Sequence, residues 1–209
     1  MKILFFGDSI TDAGRMREEI GTNKALGVGF VRDISSMLLS KSFDKYEIIN
    51  TGISGNRIVD LYSRIKIDLW NHEPDVISIL IGINDIWHEI QKNNGVEIDR
   101  FESMYRLLLK ETKERLPNAK IILCEPFVLP GTATDENYDR FLEVKEYAAI
   151  VARLAEEFDA EFVKLQDELA LAGEKYGNEK VLRDGVHPGK IGAVIIAREW
   201  VKAFEKIEN

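Results

Sequence analysis

Short apolar runs alternate with longer amphipathic segments along this chain, and that rhythm restricts the fold more than any other feature. The runs are Ile3–Phe6, Glu47–Ile49, Val76–Ile81, Ile121–Leu123 and Phe162–Val163. Rich in Ile, Val and Phe, they suit strands buried on both faces, the last being the weakest. Between them lie segments of helical period. Gly29–Leu39 carries Phe30, Val31, Ile34, Met37 and Leu38, and Ile58–Leu69 carries Ile58, Leu61, Ile65 and Leu69. Asp99–Leu116, Asn137–Phe158, Asp167–Tyr176 and Gly189–Ile207 are further helix candidates. Glu73-Pro74-Asp75 and Leu116-Pro117-Asn118 each end a helix and lead into a strand.

Strands that alternate with helices build a parallel sheet covered on both faces. The expected fold is therefore α/β, a three-layer α/β/α sandwich. Right-handed crossovers limit its topology, and a flavodoxin-like five-stranded parallel sheet of order 2-1-3-4-5 fits best. No Pro/Gly/Ser-rich linker, repeat or low-complexity run divides the chain, so one domain over residues 1–209 is expected. In such sheets ligands bind beyond the carboxyl ends of the strands, near the point where strands 1 and 3 diverge.

Composition narrows the partners. A formal net charge of -8 disfavours nucleic acid and anionic membrane surfaces, which attract clustered Lys and Arg. The single cysteine, Cys124, allows no internal disulfide and no zinc-ribbon spacing. No apolar stretch approaches the ~20 residues of a membrane span, and Ile3–Phe6 is too short for a signal segment. A soluble cytoplasmic protein acting on a small molecule is expected.

Chemistry-bearing motifs follow the strands. After strand 1 comes Gly7-Asp8-Ser9-Ile10-Thr11. A Ser on the turn into a helix is exposed near the positive helix end, although Asp and Ser also serve as plain N-caps. After strand 2 comes Asn50-Thr51-Gly52-Ile53-Ser54-Gly55-Asn56. Its two glycines let main-chain N–H groups face a ligand, or simply form a turn. After strand 3 comes Gly82-Ile83-Asn84-Asp85, where the Asn amide offers an N–H donor or an Asx turn. Near the end stands Asp184-Gly185-Val186-His187-Pro188. A nucleophilic Ser needs a base and the base needs an orienting carboxylate, and Asp and His three residues apart can supply both. Of the three histidines, His72 precedes strand 3 on the amino-terminal edge of the sheet, and His88 follows the Asn84 loop. Only His187 has an acid in a plausible triad arrangement.

These four blocks, in this order and over nearly the whole chain, resemble those of the SGNH (GDSL-type) hydrolases, with Ile10 where Leu is common. The resemblance implies the SGNH hydrolase fold and an esterase working through an acyl-serine. Ser9 would be the nucleophile, His187 the base and Asp184 its orienter. The N–H groups of Ser9 and Gly55, with the Asn84 side chain, would form the oxyanion hole. Neither a cofactor nor a metal is implied. Gly7 to Asp12 with Gly14-Arg15, then Gly52 to Asn56, then Ile81 to Trp87, look like the carbohydrate acetylesterase branch, which includes intracellular acetylxylan esterases. That points to an acetylated oligosaccharide such as acetylated xylo-oligosaccharide as substrate. Leu182-Arg183 departs from that branch, which tends to carry an aromatic residue just before the catalytic Asp. A short-chain lipase/acylhydrolase or a thioesterase on the same site is the alternative.

Asp8, Arg15, Trp87 and His88 are candidate substrate contacts, against N-capping, surface ion pairing and core packing. Trp87–Glu97 or Gly131–Asn137 is a candidate lid or interface, and a homo-oligomer is an open expectation. Three other readings stand further off. Asp8, Asp12, Asp85 and Asp184 could gather around Mg²⁺ in a phosphohydrolase. The same fold could serve as a non-catalytic binding module. Cys124 could act as a nucleophile, but it ends an apolar run and reads better as a small buried hydrophobe.

Overall fold

Each of the five apolar runs forms a strand, as seen in a computed structural model that describes residues 1–208. Asn209, the last residue of the expected domain, lies outside the described residues. The strands are β1 (Lys2–Gly7), β2 (Glu47–Asn50), β3 (Val76–Leu80), β4 (Lys120–Cys124) and β5 (Glu161–Val163). All neighbours pair in parallel, in the order β2-β1-β3-β4-β5, as expected. The central strands β1 and β3 are buried almost throughout, which is why they carry no alternating polar residues. The edge strands β2 and β5 are short and partly exposed.

The helices are α1 (Ser9–Asp12), α2 (Phe30–Lys41), α3 (Ile58–Asp68), α4 (Ile83–Lys92) and α5 (Ile98–Arg115), followed by α6 (Tyr138–Phe141), α7 (Val144–Glu157), α8 (Gln166–Tyr176), α9 (Asn178–Val181) and α10 (Lys190–Ile207). The period-2 alternation of β1 assigns them to layers. Phe5 packs on Phe30 of α2 and Trp200 of α10, at centroid distances of 5.9 and 5.0 Å. Phe6 points the opposite way, with the Arg64 guanidinium of α3 4.4 Å from its ring centroid. The buried Trp200 indole also donates to Ser78 Oγ of β3 at 2.9 Å, so its one polar atom is satisfied. One continuous apolar cluster fills both sides of the sheet.

Three departures from expectation have physical causes. The segment 137–158 is not one helix. Bonds from Glu143 N to Arg140 O and from Lys145 N to Leu142 O, both 3.2 Å, tighten the chain between α6 and α7. The break lets Phe141 turn toward Trp87 while Val144, Tyr147, Val151 and Leu154 are buried along α7. Second, Trp87–Glu97 is not a lid. Its first half completes α4, and its return is pinned by Val96 N to Asp85 O (3.0 Å) and Tyr147 OH to Val96 O (2.7 Å). Third, Gly131–Asn137 is a brace, described below. His72 ends a single 3-10 turn before β3, and its main-chain carbonyl accepts from the Lys2 ammonium at 2.7 Å, at the amino-terminal edge of the sheet.

Candidate active site

The register sets two strand ends level, β1 and β3, and stops β2 two residues short of them. Phe5 pairs with Asn50 and Gly7 with Leu80, so the loops after β1, β2 and β3 open side by side. Gly7 is required for the first of them, because a β-carbon there would collide with Thr11 Oγ1 and the Leu80 carbonyl. The chain can then enter α1 at once. Asp8 caps that helix, accepting from Ile10 N at 2.9 Å. Ser9 is its first residue. Asn50 ties the second loop to the first: its Oδ1 accepts from Gly52 N at 2.9 Å and its Nδ2 donates to Thr11 O at 2.7 Å. Gly82, with φ +133°, precedes α4 and sets Asn84 in the first turn of that helix.

The other half of the site is a tight turn before α10. Leu182 and Pro188 form an antiparallel bridge across its base, and Arg183 N donates to His187 O at 2.8 Å. Inside the turn, Asp184 Oδ1 accepts from Val186 N (3.0 Å) and His187 N (2.8 Å). Asp184 Oδ2 lies 2.7 Å from His187 Nδ1, and His187 Nε2 lies 2.8 Å from Ser9 Oγ. Burial works against charge on Asp184. The hydrogen bonds from the His187 ring and from the His187 and Val186 N–H groups outweigh it and hold the carboxyl well below the usual range. An ionised carboxylate only accepts, so Nδ1 carries the proton and Nε2 is left to accept from the Ser9 hydroxyl. Such a chain can draw a proton from the serine as it attacks an electrophile. The His187 and Asp184 side chains keep 25% and 29% exposure, so the site is open to solvent.

The segment after β4 braces this turn, so Gly131–Asn137 is not the free lid it was expected to offer. Leu129 N donates to Gly185 O and Ala133 N to Asp184 O, both at 2.9 Å, and Thr134 Oγ1 closes the brace on Leu129 O at 2.8 Å. Gly131 passes so close that a β-carbon would collide with Gly185 N and the Asp184 carbonyl carbon.

Three N–H sources stand near Ser9. The main-chain N–H groups of Ser9 and Gly55 have no acceptor among the described residues. Asn84 Nδ2 donates to Asn56 O at 3.0 Å and, more weakly, to Asp8 Oδ2 at 3.3 Å. The weaker bond leaves this amide able to turn toward a further acceptor beside Ser9.

Asp8, by sequence a candidate substrate contact, is instead wholly buried and out of a substrate's reach, with its carboxylate facing Ile10 N and Asn84. Burial pushes its carboxyl up to about 7, against the Ile10 N–H and the nearby His187 and Arg64. Trp87 stands beside the site, its ring centroid 5.9 Å from those of His187 and Phe141. His88 borders Gly55, its Cε1 4.0 Å from where a Gly55 β-carbon would be. Burial, then Lys92 and Arg57, lowers its imidazole below the ordinary value. Arg15 donates Nε to Gly52 O at 2.8 Å, so part of its guanidinium is structural.

The four aspartates weighed as a magnesium cluster do not converge. Asp12 binds Ser54 and Arg15, Asp85 accepts from Ile58 N at 3.0 Å, and Asp8 and Asp184 have the partners given above. Among the described residues no group of three or more His, Cys, Asp or Glu is placed to hold a metal ion. Cys124 is buried and its thiol is pushed up to about 12 by burial, which leaves it unreactive. Of the residues that hold the loops, Arg64 escaped sequence reasoning, and Asn50 stood in its motif without a role. The signal for Arg64 was its place three residues after Leu61 and one before Ile65, beside the buried face of α3.

A model of the GDSL-like lipase/acylhydrolase family matches residues 5–195. An acetylxylan esterase of Geobacillus stearothermophilus is 35% identical over 216 residues, covering 100% of this chain and 96% of that protein. Among solved structures, a protein of Parabacteroides merdae described as a GDSL-like lipase superposes with a TM-score of 0.92 at 39% identity, covering 98% of this chain and 95% of its own. The crystal structure of Axe2, an acetylxylan esterase from Geobacillus stearothermophilus, gives 0.86 at 34% identity, covering 97% and 93%.

Proposed function

The chain belongs to the GDSL-like lipase/acylhydrolase family, a family of carboxylic ester hydrolases, and we propose that it removes acetyl groups from acetylated carbohydrate such as xylo-oligosaccharides. The observation that carries the reading is the continuous chain Asp184–His187–Ser9, with contacts of 2.7 and 2.8 Å. Ser9 Oγ attacks the ester carbonyl while His187 Nε2 takes its proton. The Ser9 and Gly55 N–H groups and the Asn84 amide receive the oxyanion. His187 then protonates the departing alcohol, and water releases acetate from Ser9 by the same steps in reverse.

Relatives support the substrate class. Axe2 is described as an acetyl-xylooligosaccharide esterase. Its catalytic mutants replace a serine, an aspartate and a histidine three residues beyond that aspartate. Asp184 and His187 have the same spacing. Trp87 against Phe141 narrows the space beside His187, which favours a small acyl group. One observation favours a second reading, a short-chain acylhydrolase or thioesterase with a different leaving group. Arg183 stands immediately before Asp184, where an Axe2 variant replaces a tryptophan immediately before the mutated aspartate.

A hydrolysis panel decides between them. Acetylated xylo-oligosaccharides, acetyl thioesters and p-nitrophenyl esters of rising chain length are compared by kcat/KM. Highest values on the acetylated oligosaccharide, and a fall from acetate to longer acyl chains, support the proposal. Preference for long chains or thioesters removes the carbohydrate assignment and leaves the esterase one.

A further inference from the structure

Arg64 lies on α3, outside the motifs, yet its side chain is only 11% exposed and reaches both the first and second strand-end loops. Its Nη2 donates to Gly7 O at 3.0 Å, its Nη1 to Thr51 O at 2.8 Å and its Nε to Asn56 Oδ1 at 2.6 Å. Gly7 stands two residues before Ser9. Thr51 opens the loop that carries Gly55, and Asn56 follows Gly55 directly. Asn56 O in turn accepts from Asn84 Nδ2 at 3.0 Å. All three oxyanion donors therefore sit on, or bond to, segments held by one guanidinium. The fork is itself fixed from two further sides, by Asp68 at 2.9 Å and by the Phe6 ring beneath it.

We propose that Arg64 is a positioning residue that sets the spacing of the Ser9, Gly55 and Asn84 donors. The proposal rests on the reading of those three groups as the oxyanion hole. The bland alternative is an i,i+4 helix ion pair with Asp68, which needs only the charge. The loop bonds need more. A planar fork presents donors in fixed directions to three acceptors, whereas an ammonium on a flexible stem is a point charge and cannot meet all three. Oxyanion donors act through placement, so a small shift in loop spacing weakens transition-state binding more than substrate binding.

The test compares Arg64→Lys, Arg64→Ala, Asn56→Ala, Asp68→Asn and Asn84→Ala on p-nitrophenyl acetate, with Tm and circular dichroism recorded for each. Arg64→Lys should lose about 10²-fold in kcat with KM little changed, and its rate of inactivation by an organophosphonate should fall in parallel. Millimolar guanidinium should partly restore kcat to Arg64→Ala. Asp68→Asn, which removes only the ion pair, should keep kcat within about threefold. Wild-type kcat in folded Arg64→Lys, or a loss confined to KM, overturns the proposal. If Arg64→Lys does not fold, Asn56→Ala decides. That change removes one acceptor of the fork but keeps the Asn56 carbonyl, and unchanged kcat there is equally fatal. Asn84→Ala separates the two levels. Full turnover in that variant defeats the oxyanion reading itself, whereas its loss by about 10²–10³ beside an intact Arg64→Lys defeats the Arg64 proposal alone.

Discussion

Ser9 and His187 stand 178 residues apart in the chain, and their side chains meet at 2.8 Å. Neither end of that contact is held by its own neighbours alone. Ser9 is placed by the cap of α1 and by Asn50, and His187 by a turn that the segment after β4 braces. The contact is thus a product of the whole sheet, and damage to its supports should be read out as lost turnover.

Asp184→Asn should lower kcat by about 10⁴-fold with little change in Tm, the scale seen when a triad carboxylate becomes an amide. The amide oxygen can still accept from the Val186 and His187 N–H groups that fold the turn. It presents an N–H as readily as an oxygen to Nδ1, so the imidazole loses its enforced tautomer. Steady-state kinetics beside a thermal melt check this, and a kcat within tenfold of wild type contradicts it.

Gly131→Ala should damage the same turn from behind. The added methyl meets the Gly185 nitrogen and Asp184 carbonyl carbon, backbone atoms that can yield only by moving the turn. A loss of about 1–3 kcal/mol in stability is expected, with a fall in kcat because Asp184 and His187 shift together. Urea unfolding and turnover on p-nitrophenyl acetate measure both. A variant that melts and turns over like wild type would show that the brace is slack.

Trp87→Ala should widen acyl preference. Removing the ring that faces both His187 and Phe141 opens space beside the reacting carbonyl. The ratio of kcat/KM for p-nitrophenyl hexanoate over acetate should rise by about tenfold, the scale of a pocket gaining room for one or two methylenes. An unchanged ratio places the acyl group elsewhere.

Asp8 makes a prediction about pH and stability. Its folded pKa of about 7 lies above the ordinary 3.8 because burial favours the neutral form. The unfolded chain therefore releases this proton at lower pH than the folded one. Asp8 thus stabilises fully below about pH 4, and that contribution is lost as pH rises toward 7, with a slope of at most ~1.4 kcal/mol per pH unit. Buried Asp85, also raised, adds a contribution of the same sign. Asp8→Asn should flatten this part of the curve, as read by chemical unfolding at a series of pH values between 4 and 8. A slope identical to wild type would mean that Asp8 is ionised throughout.

Sequence patterning reached the sheet because β1 and β3 are apolar enough to require burial on both faces, and the interval of three residues from Asp184 to His187 was plain. Local chemistry was therefore readable. What escaped depends on contacts between distant segments. Nothing near Asp8 marks it as wholly buried, since an Asp at a helix start is ordinarily a solvated cap. Arg64 gains its role from the carbonyls of Gly7 and Thr51, which no pattern within α3 reveals. The break between α6 and α7 accompanies the packing of Phe141 on Trp87, a contact across more than fifty residues. In α4, Ile83, Ile86 and Ile90 do keep helical spacing, but the Gly82-Asn84 motif at its start drew the reading toward a loop.

The most direct measurement is covalent labelling with an organophosphonate, followed by intact mass and peptide mapping, on wild type and Ser9→Ala. One adduct per chain on the peptide containing Ser9 is predicted. Ser9→Ala should take no label, should stay folded, and should lose about 10⁴–10⁶ of the wild-type ester turnover. Labelling at a different residue, or ester hydrolysis that survives in Ser9→Ala, would contradict the assignment of Ser9 as the nucleophile.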